Sequence, residues 1–357
     1  NFIMKKNFEG FQIDGNMGED YHDNNNTYVQ GLVRDFGGNP ATGTIQDGRN
    51  KTFDVLMGTN FADGKGNITA YMSYRHADPV PSSNRDFGGC QLGAVTNASN
   101  QVTGTTCTGS SNSNFIHPTS GPNSGNIYSV FGTSLVPIGS QLTTPPASFN
   151  AQPYIYMTRE DDRYNAAFMA HQEVTEAFQP YGEFYFMDDK THQTVAPSAL
   201  FRQSNPLDPI SGNYNVNCNN PLLSPQEQST LCTGAQITAA LAAPNAGCTT
   251  STVAGVPTLS PNCTNVEIGR RNIEGGGRTS DYEHQNYRAV IGTRGDFLDA
   301  WSYDAYGQFY YTTFFNSNDK YQSFTAIDNA LQVVGTKANP VCVSGPPCVP
   351  YNMWSDG

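Results

Sequence analysis

The stretch MDDKTH sets Asp188, Asp189 and His192 close together, two hard carboxylates beside an imidazole, a donor set able to hold a divalent cation. Its other reading is a solvated strand end, and that is the one adopted. TREDDR, Arg159 to Arg163, is either a recognition cluster or the charge-mixed base of a loop, and is taken as the loop base. FADGKGN resembles a glycine-rich phosphate loop, but no Lys-Ser/Thr follows it, so a hairpin turn is expected. The six histidines are scattered, and neither GTS nor GGN forms a nucleophile elbow. These residues predict a non-enzyme with no catalytic group, no metal site and no cofactor.

The eight cysteines are the other reactive side chains: Cys90 and Cys107, Cys218 and Cys232, Cys248 and Cys263, Cys342 and Cys348. None has C-x-x-C spacing, and no histidine completes a zinc pattern. Sequential disulfides are expected, because each such pair stays within one polar Gly/Ser/Asn/Pro-rich stretch. The three wider pairs would each contribute about 3 kcal/mol by restricting the unfolded chain. Disulfides imply an oxidising compartment, periplasmic or extracellular.

What positions these loops follows from composition. The chain has 357 residues, 37% of them hydrophobic, with 35 glycines, 22 prolines, 19 tyrosines and 20 phenylalanines. Such a loop-rich, aromatic composition suits an all-β chain better than a helical one. A formal charge of −12 and a pI near 4.8 argue against nucleic acid or anionic lipid as the main partner. No apolar run is long enough for a membrane-spanning helix, a test to which a β-barrel is invisible. NFIMKKNFEG lacks the order of a signal peptide, and both ends read as cuts through a longer protein.

Three hairpins carry period-two alternation. RYNAAFMAHQEVTEAFQPYGEFYFMDD puts Tyr164, Phe168, Phe184 and Phe186 on apolar faces; WSYDAYGQFYYTTFF does the same for Trp301, Tyr303, Phe309 and Tyr311. A strand of about eleven residues tilted about 40° covers roughly 27 Å, close to the apolar band of an outer-membrane barrel. These eight residues are therefore expected to face lipid. The opposite polar face supplies the ligand-contact candidates Arg75, Glu183, Tyr185, Arg288, Asp304, Tyr306 and Gln308, with Tyr154 and Tyr156 in a loop above them. Short turns alternate with long connections, roughly 77–162 and 190–279, and every cysteine pair lies on the long-loop side. The expected architecture is an antiparallel transmembrane β-barrel, about seven strands of it here, with short periplasmic turns and long extracellular loops braced by disulfides rather than by a core. A first strand is expected in FEGFQIDGNMGED, followed by a polar connection to a second at Thr52. A soluble sandwich gives the same alternation.

NFIMKKNFEG resembles the junction of plug and barrel in TonB-dependent outer-membrane receptors. FADGKGNITAYMSYR, NRDFGGCQL, DDRYNAAFMAHQEV, NCNNPLLSPQ, IGRRNIEGGGR and YRAVIGTRGDF are similar, in this order, to stretches of large receptors of that family in Gram-negative bacteria. The resemblance implies a portion of a 22-stranded barrel closed around an N-terminal plug, with residues 1–7 ending the plug and 8–357 opening the barrel. It also implies uptake of a scarce solute (siderophore, cobalamin, oligosaccharide or similar) across the outer membrane, driven by TonB through a segment upstream of Asn1, with a surface lipoprotein as an optional partner. The alternatives are a secreted β-rich adhesion or glycan-binding protein, a passive porin, and a surface protein assembled from many copies.

Overall fold

The computed structural model describes residues 5, 7–110, 112–138, 148–201, 205, 208, 212–297 and 300–355. The chain is mostly antiparallel strand, arranged as one long-stranded sheet and a second, smaller body built from its connections.

The long sheet has seven strands in sequence order: β1 Gly10–Asn24, β2 Gly43–Phe61, β3 Gly66–Ala77, β4 Glu160–Gln172, β5 Gln179–Pro197, β6 Gly277–Phe297 and β7 Trp301–Asp319. Each pairs only with its neighbours in the chain, and β1 and β7 are the edges, so the described residues form an open sheet and no closed barrel. Short links, 62–65 and 173–178, join β2 to β3 and β4 to β5 at one end. The long connections all leave from the other end.

Register fixes the faces, since directly paired residues share one. The rows Phe11–Met57–Ala70–Phe168–Phe184–Ala289–Phe309 and Ile13–Val55–Met72–Ala166–Phe186–Tyr287–Tyr311 run across all seven strands on one side. Gln12, Asp54, Ser73, Asn165, Glu183 and Arg288 lie on the other. Period two in the sequence thus becomes one apolar and one polar surface.

Two expectations about the start of the chain are corrected. The first strand extends to Asn24 and the second begins at Gly43, not Thr52; the polar connection between them holds helix α1, Thr27–Asp35. Polar residues there made a loop plausible, but Asn24 and His22 are tied to Asp86 across the fold, which prolongs the ladder. Likewise, Glu160–Arg163 opens β4 rather than forming a loop base, because it pairs with both β3 and β5. The expected plug end, residues 1–7, lies mostly outside the described residues. Before β6 the chain makes a 3-10 turn, Ile273–Gly275, followed by Gly276 at φ 72°, a backbone suited to glycine.

The larger correction concerns the loops, expected to lack a core. Strands Asn114–Pro118, Tyr128–Phe131 and Ser134–Pro137 from the β3–β4 connection join Ala199–Leu200, Tyr214–Asn217 and Cys263–Arg271 from the β5–β6 connection in a six-stranded sheet. Helices α2 Pro225–Leu231, α3 Gly234–Ala242 and α4 Phe324–Leu331 accompany it. Ile116, Tyr214, Leu231, Ile268, Leu331, Met353 and Trp354 close one buried cluster. Three connections far apart in sequence therefore share a core, which none could form alone. All four disulfides pair sequentially as expected, Cys90–Cys107, Cys218–Cys232, Cys248–Cys263 and Cys342–Cys348. The first packs against Val33 and Phe36 of the α1 region in a separate small cluster.

Candidate functional site

The polar face of β5–β7 gathers six of the nine ligand candidates. Arg288 is the hub: Nη1 donates to Glu183 Oε2 at 3.1 Å, Nε donates to Gln308 Oε1 at 3.1 Å, and the guanidinium lies 5.1 Å from the Tyr185 ring centroid. The Tyr185 hydroxyl also donates to Glu183, at 3.4 Å. Register makes this possible, because Tyr185 pairs with Arg288, and Glu183 with Val290 and through it with Gln308. Closer to the short links, the Tyr181 hydroxyl donates to Asp304 Oδ1 at 2.7 Å, and Arg294 lies 5.9 Å from the Tyr181 ring. A recess of about 110 Å³ separates the two groups, lined by Tyr181, Glu183, Arg288, Val290, Arg294, Asp304 and Tyr306. Tyr181 and Arg294 are the members sequence reasoning missed. Counting by twos from Tyr185 and Arg288 reaches both, so the signal was present.

Arg75 shares this face but stands apart, two strands from β5 and six register steps along, on the order of 20 Å. It belongs to a second ionic group: Arg75 Nε lies 3.5 Å from Asp161 Oδ2, and Arg163 Nη2 donates to Asp189 Oδ2 at 2.7 Å. Thus the charged pieces of TREDDR, expected as a loop base, and MDDKTH, expected as a solvated strand end, do meet. The divalent-cation set is not assembled, since Asp189 faces one way while Asp188 and His192 face the other. His192 Nδ1 instead lies 2.6 Å from Asp281 Oδ1.

Tyr154 and Tyr156 do not join the polar face. Tyr154 ends a 3-10 turn and stacks on Phe149 with centroids 5.6 Å apart. Tyr156 lies 6.4 Å from His192, on the side of Tyr164 and Phe186. Their placement depends on the pairing of Tyr156 with Pro81, a long-range contact without a local signal.

The eight residues expected on the apolar face all occupy it. Phe309 is 63% exposed and Trp301 66%, while Tyr164, Phe168, Phe184 and Tyr311 are also exposed. At the linked ends Phe61, Phe178, Phe297 and Trp301 form an aromatic fringe, and at the far side Phe53, Tyr74 and Tyr164 form another.

Ionisable groups in the connection-built body are tuned by burial. Burial raises the Glu227 carboxyl above its usual range although it serves the α2 capping box with Ser224. Burial likewise raises Asp328, which accepts from Asn205 and Gln332. Arg270, hydrogen-bonded to Glu274 at 2.6 Å, lowers that carboxyl.

The polar face offers guanidinium, carboxylate, amide and phenol groups, a set suited to holding a polar solute. Comparison of the chain with protein-family models, curated proteins and solved structures found no match.

Proposed function

We propose that the chain forms part of the barrel wall of an outer-membrane receptor of the TonB-dependent kind, importing a scarce solute such as a siderophore, cobalamin or an oligosaccharide. The observation that carries the membrane reading is the seven-stranded sheet with one continuous, exposed apolar face, short links at one end and long connections at the other. From Trp301 to Tyr311 the apolar face covers roughly 25 Å at a tilt of about 40°, the height of a bilayer's apolar band. The open edges at β1 and β7 require further strands, since unpaired backbone is not tolerated in hydrocarbon. The 22-stranded closure, the plug and the coupling to TonB rest on the resemblance of the quoted segments. In this reading the short links are periplasmic, and the disulfide-braced body faces outward, where it and the plug enclose the solute. A surface lipoprotein is a compatible partner.

The test is expression of the intact gene in a Gram-negative host. The expected product sediments with outer membranes, changes electrophoretic mobility on heating and supports solute uptake that stops when TonB is deleted. A product soluble and monodisperse without detergent sinks the membrane reading and leaves the secreted adhesion protein. Membrane location with uptake indifferent to TonB leaves the porin.

A further inference from the structure

The chain that follows β7 returns to the connection-built body through α4 and the Cys342–Cys348 loop, and between them lies a recess of about 710 Å³. That is the size of a small-molecule pocket. Its walls are stiff. On one, the Ser323 hydroxyl caps α4 by accepting from the Ala326 amide at 3.4 Å, and Ala330 and Leu331 anchor the helix by burial. Another is residues 344–350, where Pro346, Pro347, Pro350 and the disulfide restrict the backbone. Tyr351 completes the lining. Its amide donates to Ala330 O at 3.0 Å, its hydroxyl accepts from Arg270 Nη1, and the Arg270 guanidinium lies 5.1 Å from its ring centroid. Glu274 holds Arg270 in turn, so the ring is fixed before any ligand arrives.

The chemistry of the lining is narrow. In a chain with 31 acidic residues and 19 lysines and arginines, no residue of this recess carries a charge. Its polar side chains are the carboxamides of Asn272, Gln322 and Asn329 and the hydroxyl of Ser344. Elsewhere in the body the amides of Asn205, Asn217, Asn220, Gln226, Gln228 and Gln236 all donate hydrogen bonds. Among the described residues the three recess amides have no hydrogen-bond partner, and Gln322 Oε1 is buried in that state. A buried acceptor left unmet is costly. The terminal torsion of a carboxamide is soft, so Gln322 can turn this oxygen towards a ligand.

We propose that this recess binds a neutral sugar residue. A charged ligand would find no counter-charge in the lining, and a wholly apolar one would leave the amides unmet. A pyranose answers both needs. Its hydroxyls each donate and accept, as carboxamides do, while its C–H face packs on the apolar surface of Ile327, Pro347, Val349 and Tyr351. The site lies in the body and needs nothing to be assumed about what covers the sheet, so it goes beyond the receptor reading and stands or falls separately from it.

The test is ligand-observed saturation-transfer NMR on the full-length protein, in detergent micelles if it is recovered from membranes and in buffer if it is not. The probes are methyl glucoside, methyl galactoside, methyl mannoside and N-acetylglucosamine, with glucuronate and triproline as the charged and peptide competitors. At least one neutral sugar is expected to bind saturably and to resist displacement by either competitor. Gln322→Ala/Asn329→Ala should weaken that binding about ten-fold or more, and so should Ala326→Phe, which fills the recess from an exposed position on α4. Thr325→Ala, exposed on the same helix outside the recess, should leave it unchanged. Circular dichroism identifies the folded variants. The absence of saturable binding by any neutral sugar, or undiminished binding in either folded recess variant, overturns the proposal. Tighter binding of glucuronate or of triproline than of every neutral sugar overturns it as well, the second by showing a peptide site.

Discussion

Phe309 and Trp354 sit in one chain under opposite rules: the first is 63% exposed in the middle of a regular strand, the second fully buried in an irregular segment. The seven-stranded sheet is held by its ladders and shows its apolar side outward. The connection-built body hides its apolar side chains around Ile116, Tyr214 and Leu331, as a water-soluble domain does. The difference teaches that the two regions dispose of their apolar side chains in opposite ways, one exposing them and the other burying them. Hydrocarbon surface on the sheet is an asset only if something other than water covers it, whereas the body needs its own core because it has no long ladder.

The strongest way to break this comparison is Trp354→Ala. Emptying a fully buried tryptophan site should cost about 4 kcal/mol, and limited proteolysis should then cut within 199–271 while heat-modifiability of the sheet persists. Loss of both together would show that the regions fold as one unit. Phe309→Lys probes the other rule: in a bilayer a lysine at mid-strand should cost about 3 kcal/mol, read as a lower urea midpoint for folding into vesicles. Gln308→Lys, one position away and facing the polar side, should cost much less; equal effects would remove the distinction between faces. Replacing Cys342 and Cys348 by serine opens a link of sequence separation 6 and should lower the body's stability by about 2 kcal/mol. That loss should appear in calorimetry of the oxidised protein, and reducing the wild type, which opens all four disulfides, should lower stability further.

The smallest effect is in pH. Burial raises the folded-state pKa of Asp328 above its ordinary 3.8. A raised pKa means that stability is fully present below the unfolded value and is lost as pH rises through the folded one. The melting temperature of the body should therefore fall as pH rises above 3.8, and Asp328→Asn should flatten this slope. An unchanged slope would place the dependence on another group, with Glu227 next to be tested.

The hairpins were legible because a strand's side chains repeat every two residues, a purely local rule. Phe184 and Phe186 could be separated from Glu183 and Tyr185 without knowing any partner. The same counting identified the polar face but not its pairs, since Arg288 meets Glu183 only once β5 and β6 are in register. The disulfides were legible because each closes a link within one connection. The capping boxes of Ser224 with Glu227 and of Thr233 with Gln236 are also local, and they mark helices in a segment read as plain loop. Tyr156 was misplaced because its position depends on Pro81, from an earlier connection.

By itself, then, the sequence determined the alternation of the long strands and the identity of the apolar face, and closeness along the chain favoured the four cysteine pairs that the structure then fixed, all matters of chemistry within a few neighbouring residues or a single loop. Only the tertiary structure decided that Ile116, Ile268 and Trp354 share one core, that Arg288 binds Glu183 and Gln308, and that Lys51 stands over Tyr74. Those contacts join separate elements of the chain, and their partners are set by register and by the packing of connections against one another, for which no local period exists.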